Sequence, residues 1–128
     1  MLPRIFSAGL LVLLVCDAAA GADALEGTWR VTVIPDDASA GKQFDDTLTF
    51  RGELFASEAL KARGFAAAVY ESDTRGRALA VAFTARQTGP GGSSVKWQGM
   101  AAAGAIEGTL TWLRPDGSTA TYSFKGSR

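Results

Sequence analysis

The sequence predicts an all-β protein: a small antiparallel meander barrel of about eight strands with one short helix near residues 57–63, the alternative being a β-sandwich. In residues 25–33, Trp29, Val31 and Val33 fall on one face while Thr28, Arg30 and Thr32 fall on the other. That period of two marks a strand with one side in a core and one in water. The same alternation recurs in short runs to the end of the chain, most of them joined by links of hairpin length. Closing such a meander into a ring removes its two exposed edges, which favours the barrel.

Residues 1–22 read as a secretory signal peptide, with residues 23–128 as a single domain. Arg4 supplies the basic start, and Ile5 to Val15 is apolar except for Ser7 and Gly9. Ala20-Gly21-Ala22 fits the small-x-small cleavage rule, with a second possible cut after Ala20. The run is well short of the ~20 apolar residues that cross a bilayer as a helix. The expectation is therefore a secreted or periplasmic protein without a transmembrane segment. Cys16, the sole cysteine, lies in this leader, and Val15 stands where lipid attachment needs a small residue, which argues against an anchor there. Cleavage leaves no cysteine and no disulfide, so stability must come from packing.

After the first strand, Pro35-Asp36-Asp37 turns the chain into a polar loop that runs to Lys42. Residues 44–51 form the second strand, and Gly52 reverses it into residues 53–56. Residues 57–64 read as a helix: Ser57 as N-cap, Glu58 at the positive end, Lys61 and Arg63 in the last turn, Gly64 in the left-handed position past the end. Residues 65–71 are expected to return as a strand with Phe65, Ala67 and Val69 in register. Residues 78–87 follow, with Leu79, Val81, Phe83 and Ala85 inward. The 88–93 stretch, rich in Gly, Pro and Ser, reads as the most flexible loop. Val95 and Trp97 then alternate with Lys96 and Gln98, and residues 100–104 read as a small-residue turn. Ile106, Gly108, Leu110 and Trp112 point one way. Pro115-Asp116-Gly117 is a turn, after which Ala120, Tyr122 and Phe124 point inward. Trp29, Leu48, Phe83, Trp97, Leu110 and Phe124 are expected to meet in one core.

Charge and residue types narrow the function. Thirteen basic residues balance thirteen acidic ones, the leader contributes Arg4 and Asp17 alone, and no like-charge run occurs. Nothing steers the protein to nucleic acid or an anionic membrane. Histidine is absent, which removes the usual general base near neutral pH and the commonest metal ligand. Asp36-Asp37 and Asp45-Asp46 lack the spacing of a calcium loop, and turn or strand-start roles explain them more simply. Glu53, Glu71 and Glu107 sit beside turns or on the outer face, not in the buried pair that acid–base work on a sugar calls for. Ser57 and Lys61 are four apart, as in a Ser/Lys hydrolase, but a capping Ser has its hydroxyl occupied. No catalytic residue, metal or cofactor is expected, and the protein reads as a non-enzyme.

Trp29, Phe50, Phe83, Trp97, Trp112, Tyr122 and Phe124 are the candidate site residues, lining a small-molecule pocket or filling a core. Each ring buries ~150–250 Å², so a short barrel holding this many favours a filled interior. Gly99 and Gly108, which leave room beside the rings, are the argument for a cavity.

Gly27-x-Trp29 at the start of the first strand, with about eight strands behind it, resembles the lipocalin-like (calycin) barrels. In that family the Trp plugs the closed end and a basic residue near the last strand packs over it. The resemblance thus implies Arg128 or Lys125 in that place. The helix here is mid-chain, whereas lipocalins place theirs after the last strand; the chain is shorter than most of them and has no disulfide. Small periplasmic protease inhibitors are also similar in barrel size and in a Gly-x-Trp start, though they usually carry a disulfide. Two functions follow: a barrel binding a small hydrophobic molecule, or a protein-interaction or inhibitor module with a packed core. In the second, the 88–94 and 36–42 loops are the contact surfaces. The outward Ala80, Ala82, Thr109, Thr111, Thr119 and Thr121 leave no large apolar patch, so a monomer is expected.

Overall fold

A computed structural model describes residues 24–37, 41–74 and 79–128. The stretch read from sequence as a signal peptide, with Cys16, lies outside these residues. Eight strands run in chain order: β1 Gly27–Pro35, β2 Phe44–Arg51, β3 Leu54–Ser57, β4 Ala68–Asp73, β5 Ala80–Thr88, β6 Ser94–Ala102, β7 Ala105–Leu113 and β8 Thr119–Ser127. A four-residue helix, α1 Glu58–Lys61, follows β3. Every strand pairs antiparallel with its neighbours in sequence, and β1 pairs with β8 from Arg30↔Ser127 to Pro35↔Tyr122, so the ring is closed. That closure is a barrel and sets the sandwich aside. Among the described residues, no helix is long and apolar enough to cross a membrane.

One core results. Trp29, Leu48, Phe83, Trp97, Leu110 and Phe124 are all buried in the same cluster. The alternation places them there: β8 reads inward at Ala120, Tyr122 and Phe124, and β2 at Asp46, Leu48 and Phe50. The barrel has two ends. The start of β1 and the ends of β2 and β8 surround the Trp29 end; α1 and the starts of β2, β6 and β8 lie at the other, the helix end.

α1 begins as expected, with the Ser57 side chain accepting from the Leu60 N–H. It ends in a Schellman turn: Phe65 N–H reaches Leu60 O (3.0 Å), Gly64 N–H reaches Lys61 O (3.1 Å), and Gly64 has φ +93°. Residues 62–64 belong to that turn, so the helix is shorter than the expected 57–64.

Three expectations need correction, all where a strand begins or ends. The fourth strand starts at Ala68, not at Phe65; Tyr70 is buried and Val69 is 63% exposed. The chain uses residues 65–67 to travel from the Schellman turn to the ring, so the inward setting of Phe65 is not transmitted to β4. Leu79 has the inward parity of Val81 but precedes β5 and is 89% exposed; among the described residues no strand pairs with it. Met100 belongs to β6, which runs on to Ala102, and the turn is confined to Ala103-Gly104. The 88–93 stretch carries a turn of its own. A 3-10 turn over Pro90–Gly92 is closed by Gly89 N–H to Ser93 O (2.9 Å) and Ser93 N–H to Pro90 O (3.1 Å).

Candidate functional site

Inside the ring the aromatic side chains meet one another. Phe50 is 5.0 Å, centroid to centroid, from both Tyr70 and Phe83, and 5.1 Å from Phe55. Phe55 continues to Trp97 (5.3 Å), and Trp97 to Phe124 (5.3 Å). Most of these contacts are edge-to-face or tilted, the arrangement favoured by ring quadrupoles. Of the seven candidates, Phe50, Phe83, Trp97 and Phe124 thus form one continuous cluster in mid-barrel. Phe55, absent from the candidate set, links them; its position two residues before Ser57 on a strand of only four residues hid its direction.

Gly99 and Gly108 sit opposite each other on β6 and β7, and Gly108 also faces Phe124 on β8. They do not leave a void. A Cβ at Gly99 would lie 2.8 Å from Phe83 and 2.9 Å from Phe124, and one at Gly108 would lie 2.0 Å from Gln98 O. The space the glycines leave is occupied by the rings and by closely approaching backbone. The cavity argument built on these two residues therefore fails.

Trp29 closes the first end. Its indole N–H donates to Leu25 O at 2.9 Å, and the Arg128 guanidinium stacks 4.5 Å above its ring. Arg128 also donates to Glu26 O (2.7 Å) and Ala24 O (3.0 Å). The basic residue over the tryptophan is thus Arg128; Lys125 is exposed on β8 and pairs in register with Glu107 and Thr32.

The helix end holds the other two candidates. Trp112 is half-buried, edge-on to Phe65 (5.6 Å) and tilted against Tyr122 (6.4 Å), with Arg63 5.3 Å above it. Gly89 and Pro90 pack onto this plug, at Phe65 and Gly64 respectively.

Two buried polar groups escaped the sequence reading. Asp46 points inward from β2, and its carboxylate accepts from the Ser57 hydroxyl, the Ala59 N–H (2.9 Å) and the Thr47 N–H (2.7 Å). It therefore anchors the start of α1, and the Ser57 hydroxyl is committed to that anchor. Gln87 accepts from the Trp97 indole N–H at 3.0 Å and donates to Ala66 O at 2.8 Å. Both occupy inward positions of their strands, two residues from Leu48 and Ala85, so strand parity was the available signal.

Among the described residues, no group of three or more acidic or thiol side chains is placed to hold a metal ion. Open recesses occur on the outer wall. One of about 520 Å³ lies between β1, β2 and α1, beside Arg30, Asp45 and Glu58. Another of about 700 Å³ runs across β6 to β8, past Met100, Glu107, Ser123 and Lys125. No protein-family model matches the chain, and no curated protein matches it.

Proposed function

We propose that this protein is an exported, non-catalytic binding module that meets another protein through its outer surface, rather than a carrier of an apolar molecule inside the barrel. The filled interior carries the reading: Phe50, Phe55, Phe83, Trp97 and Phe124 touch in sequence through mid-barrel, where a lipocalin-like carrier needs an empty volume of a few hundred Å³. Emptying that space would cost the ring contacts, about 0.5–1.5 kcal/mol per aromatic pair beyond area burial. The plug of Leu60, Phe65 and Trp112 further obstructs entry from the helix end. Export rests on the leader. The 36–42 and 88–94 loops remain the first surfaces to examine, both at the helix end. Residues 38–40 of the former lie outside the described residues.

The deciding experiment is native mass spectrometry of exported protein, together with titration of a fluorescent fatty-acid analogue. The bare polypeptide mass and no saturable uptake are expected. A stoichiometric apolar adduct, or uptake abolished by enlarging a core residue such as Ala85→Leu, overturns the reading in favour of a carrier.

A further inference from the structure

Along the outer face of β5 and β6 the directly opposed side chains are uncharged, from Ala82↔Met100 to Thr88↔Ser94, with one exception: Arg86 stands opposite Lys96. Like charges so placed work against strand pairing, and a carboxylate shared by the two would relieve them. The fold brings none. Their outer neighbours are Thr84 and Gln98 along the strands and Thr111 across on β7. Glu71 lies diagonally away on β4, opposite Thr84. Among the described residues, neither Arg86 nor Lys96 has an ion pair or a side-chain hydrogen bond. Beside the two cations is an apolar pair. Leu54 and Val69 face each other on β3 and β4 and are 49% and 63% exposed. Val69 and Arg86 each sit one step from the Tyr70↔Ala85 pair, on the side away from Glu71, so they are neighbours across β4 and β5. The next outer pair beyond the cations, Thr88↔Ser94, bounds the 88–94 loop already named as a contact surface.

We propose that the partner docks here through an acidic segment: a Glu or Asp seated between Arg86 and Lys96, with an apolar residue two positions along resting on Val69 and Leu54. The proposal rests on the surface-binding reading above and names its site and its ligand chemistry. Strands lie ~4.8 Å apart, so Val69 is one and a half spacings, ~7 Å, from the midpoint of the cation pair. Alternate side chains of an extended chain recur at nearly the same interval, ~6.7 Å, which selects the order acidic–x–apolar. The guanidinium fork of Arg86 and the ammonium of Lys96 both donate charge-assisted hydrogen bonds to such a carboxylate. Glu71 repels a second acid on its flank, so a single carboxylate fits better than an acidic run. A bare inorganic anion would leave Leu54 and Val69 uncovered. Nucleic acid and anionic membranes call for a wider basic field than two residues on a chain of balanced charge.

The test uses the full exported protein and a blocked Ser-Glu-Thr-Leu-Ser peptide in an NMR titration. Saturable shifts centred on the Val69, Arg86 and Lys96 amides are expected, fading as salt is added. Lys96→Gln should weaken binding about fivefold and at the same time raise the urea midpoint of unfolding, because it removes the repulsion from Arg86. A purely structural Lys96 would lower that midpoint instead. Glu71→Gln should tighten binding, and replacing the peptide's Leu by Ser should weaken it about threefold. Failure to saturate overturns the proposal. So does indifference to the Leu replacement, or displacement of the peptide by equimolar inorganic phosphate, since either reduces the site to surface charge. Any of these failures, with no apolar adduct in the barrel, leaves the surface-binding reading standing and removes only this site. Uptake of the fatty-acid analogue removes the reading itself.

Discussion

At the scale of single residues, glycines and buried polar groups do what bulk hydrophobicity cannot. Gly108 lies where a Cβ would come within 2.0 Å of Gln98 O, and Gly126 where one would come within 1.9 Å of Arg30 O. In both cases the obstacle is backbone and cannot swing aside. Gly108→Ala should therefore cost about 3 kcal/mol, the upper part of the overpacking range, in urea unfolding. Thr109→Ala, next to it on the outer face, should stay within about 0.5 kcal/mol. Equal effects would show that the close backbone approach at Gly108 is not needed. Arg128 combines a stacked guanidinium with two carbonyl contacts. Arg128→Ala should lose about 1 kcal/mol, and Arg128→Lys should recover only part of it, because an ammonium cannot reach both carbonyls and the ring at once. Full recovery by Lys would reduce the role of Arg128 to charge.

At the scale of elements, α1 is too short to persist alone, so its attachments decide its survival. Asp46 receives three donors at the helix start. Asp46→Ala strands the Ser57 hydroxyl and the Ala59 N–H, a loss of about 2–3 kcal/mol. Exchange of the Ala59 and Leu60 amides should accelerate more than that of β6 amides; uniform acceleration would mean that Asp46 supports the whole barrel rather than the helix. The β7–β8 turn has its own electrostatic signature. The Ser118 hydroxyl and then its N–H donate to Asp116, holding its carboxyl below the ordinary 3.8. A depressed carboxyl stabilises the fold above its unfolded value and loses that contribution as pH falls through the folded one. The Asp116 side-chain NMR titration should therefore have its midpoint below 3.8, and Ser118→Ala should move it upward. Elements also show where sequence reading stops. Strand interiors were legible because alternation is imposed by the pleat, as with Val95 and Trp97 or Tyr122 and Phe124. Strand ends were not: Leu79 shares the parity of Val81 yet lies before β5 and is exposed, and where β4 starts and β6 stops is fixed by how far the neighbouring strands pair. Asp46 and Gln87 were hidden for another reason, since their polarity argues for solvent until their hydrogen-bond partners are known.

At the scale of the whole molecule, eight antiparallel strands close because the first pairs with the last, bringing Val33 opposite Phe124. Such pairing spends loop-closure entropy before it returns contacts, so folding should be cooperative and slow, in the millisecond-to-second range of all-β domains. A single-exponential stopped-flow phase in that range, with one equilibrium transition, is the expected outcome; microsecond folding would argue against a closed ring. Light scattering should give the mass of one chain at micromolar concentration, and twice that mass would point to a self-association surface. The three tryptophans also differ in a way that makes the protein its own optical instrument. Trp29 is 1% and Trp97 0% exposed, whereas Trp112 is half-buried at the helix end. A collisional quencher such as acrylamide should thus reach the indole of Trp112 alone, so that an opening at the helix end can be told from events deeper in the barrel by emission without attaching a dye.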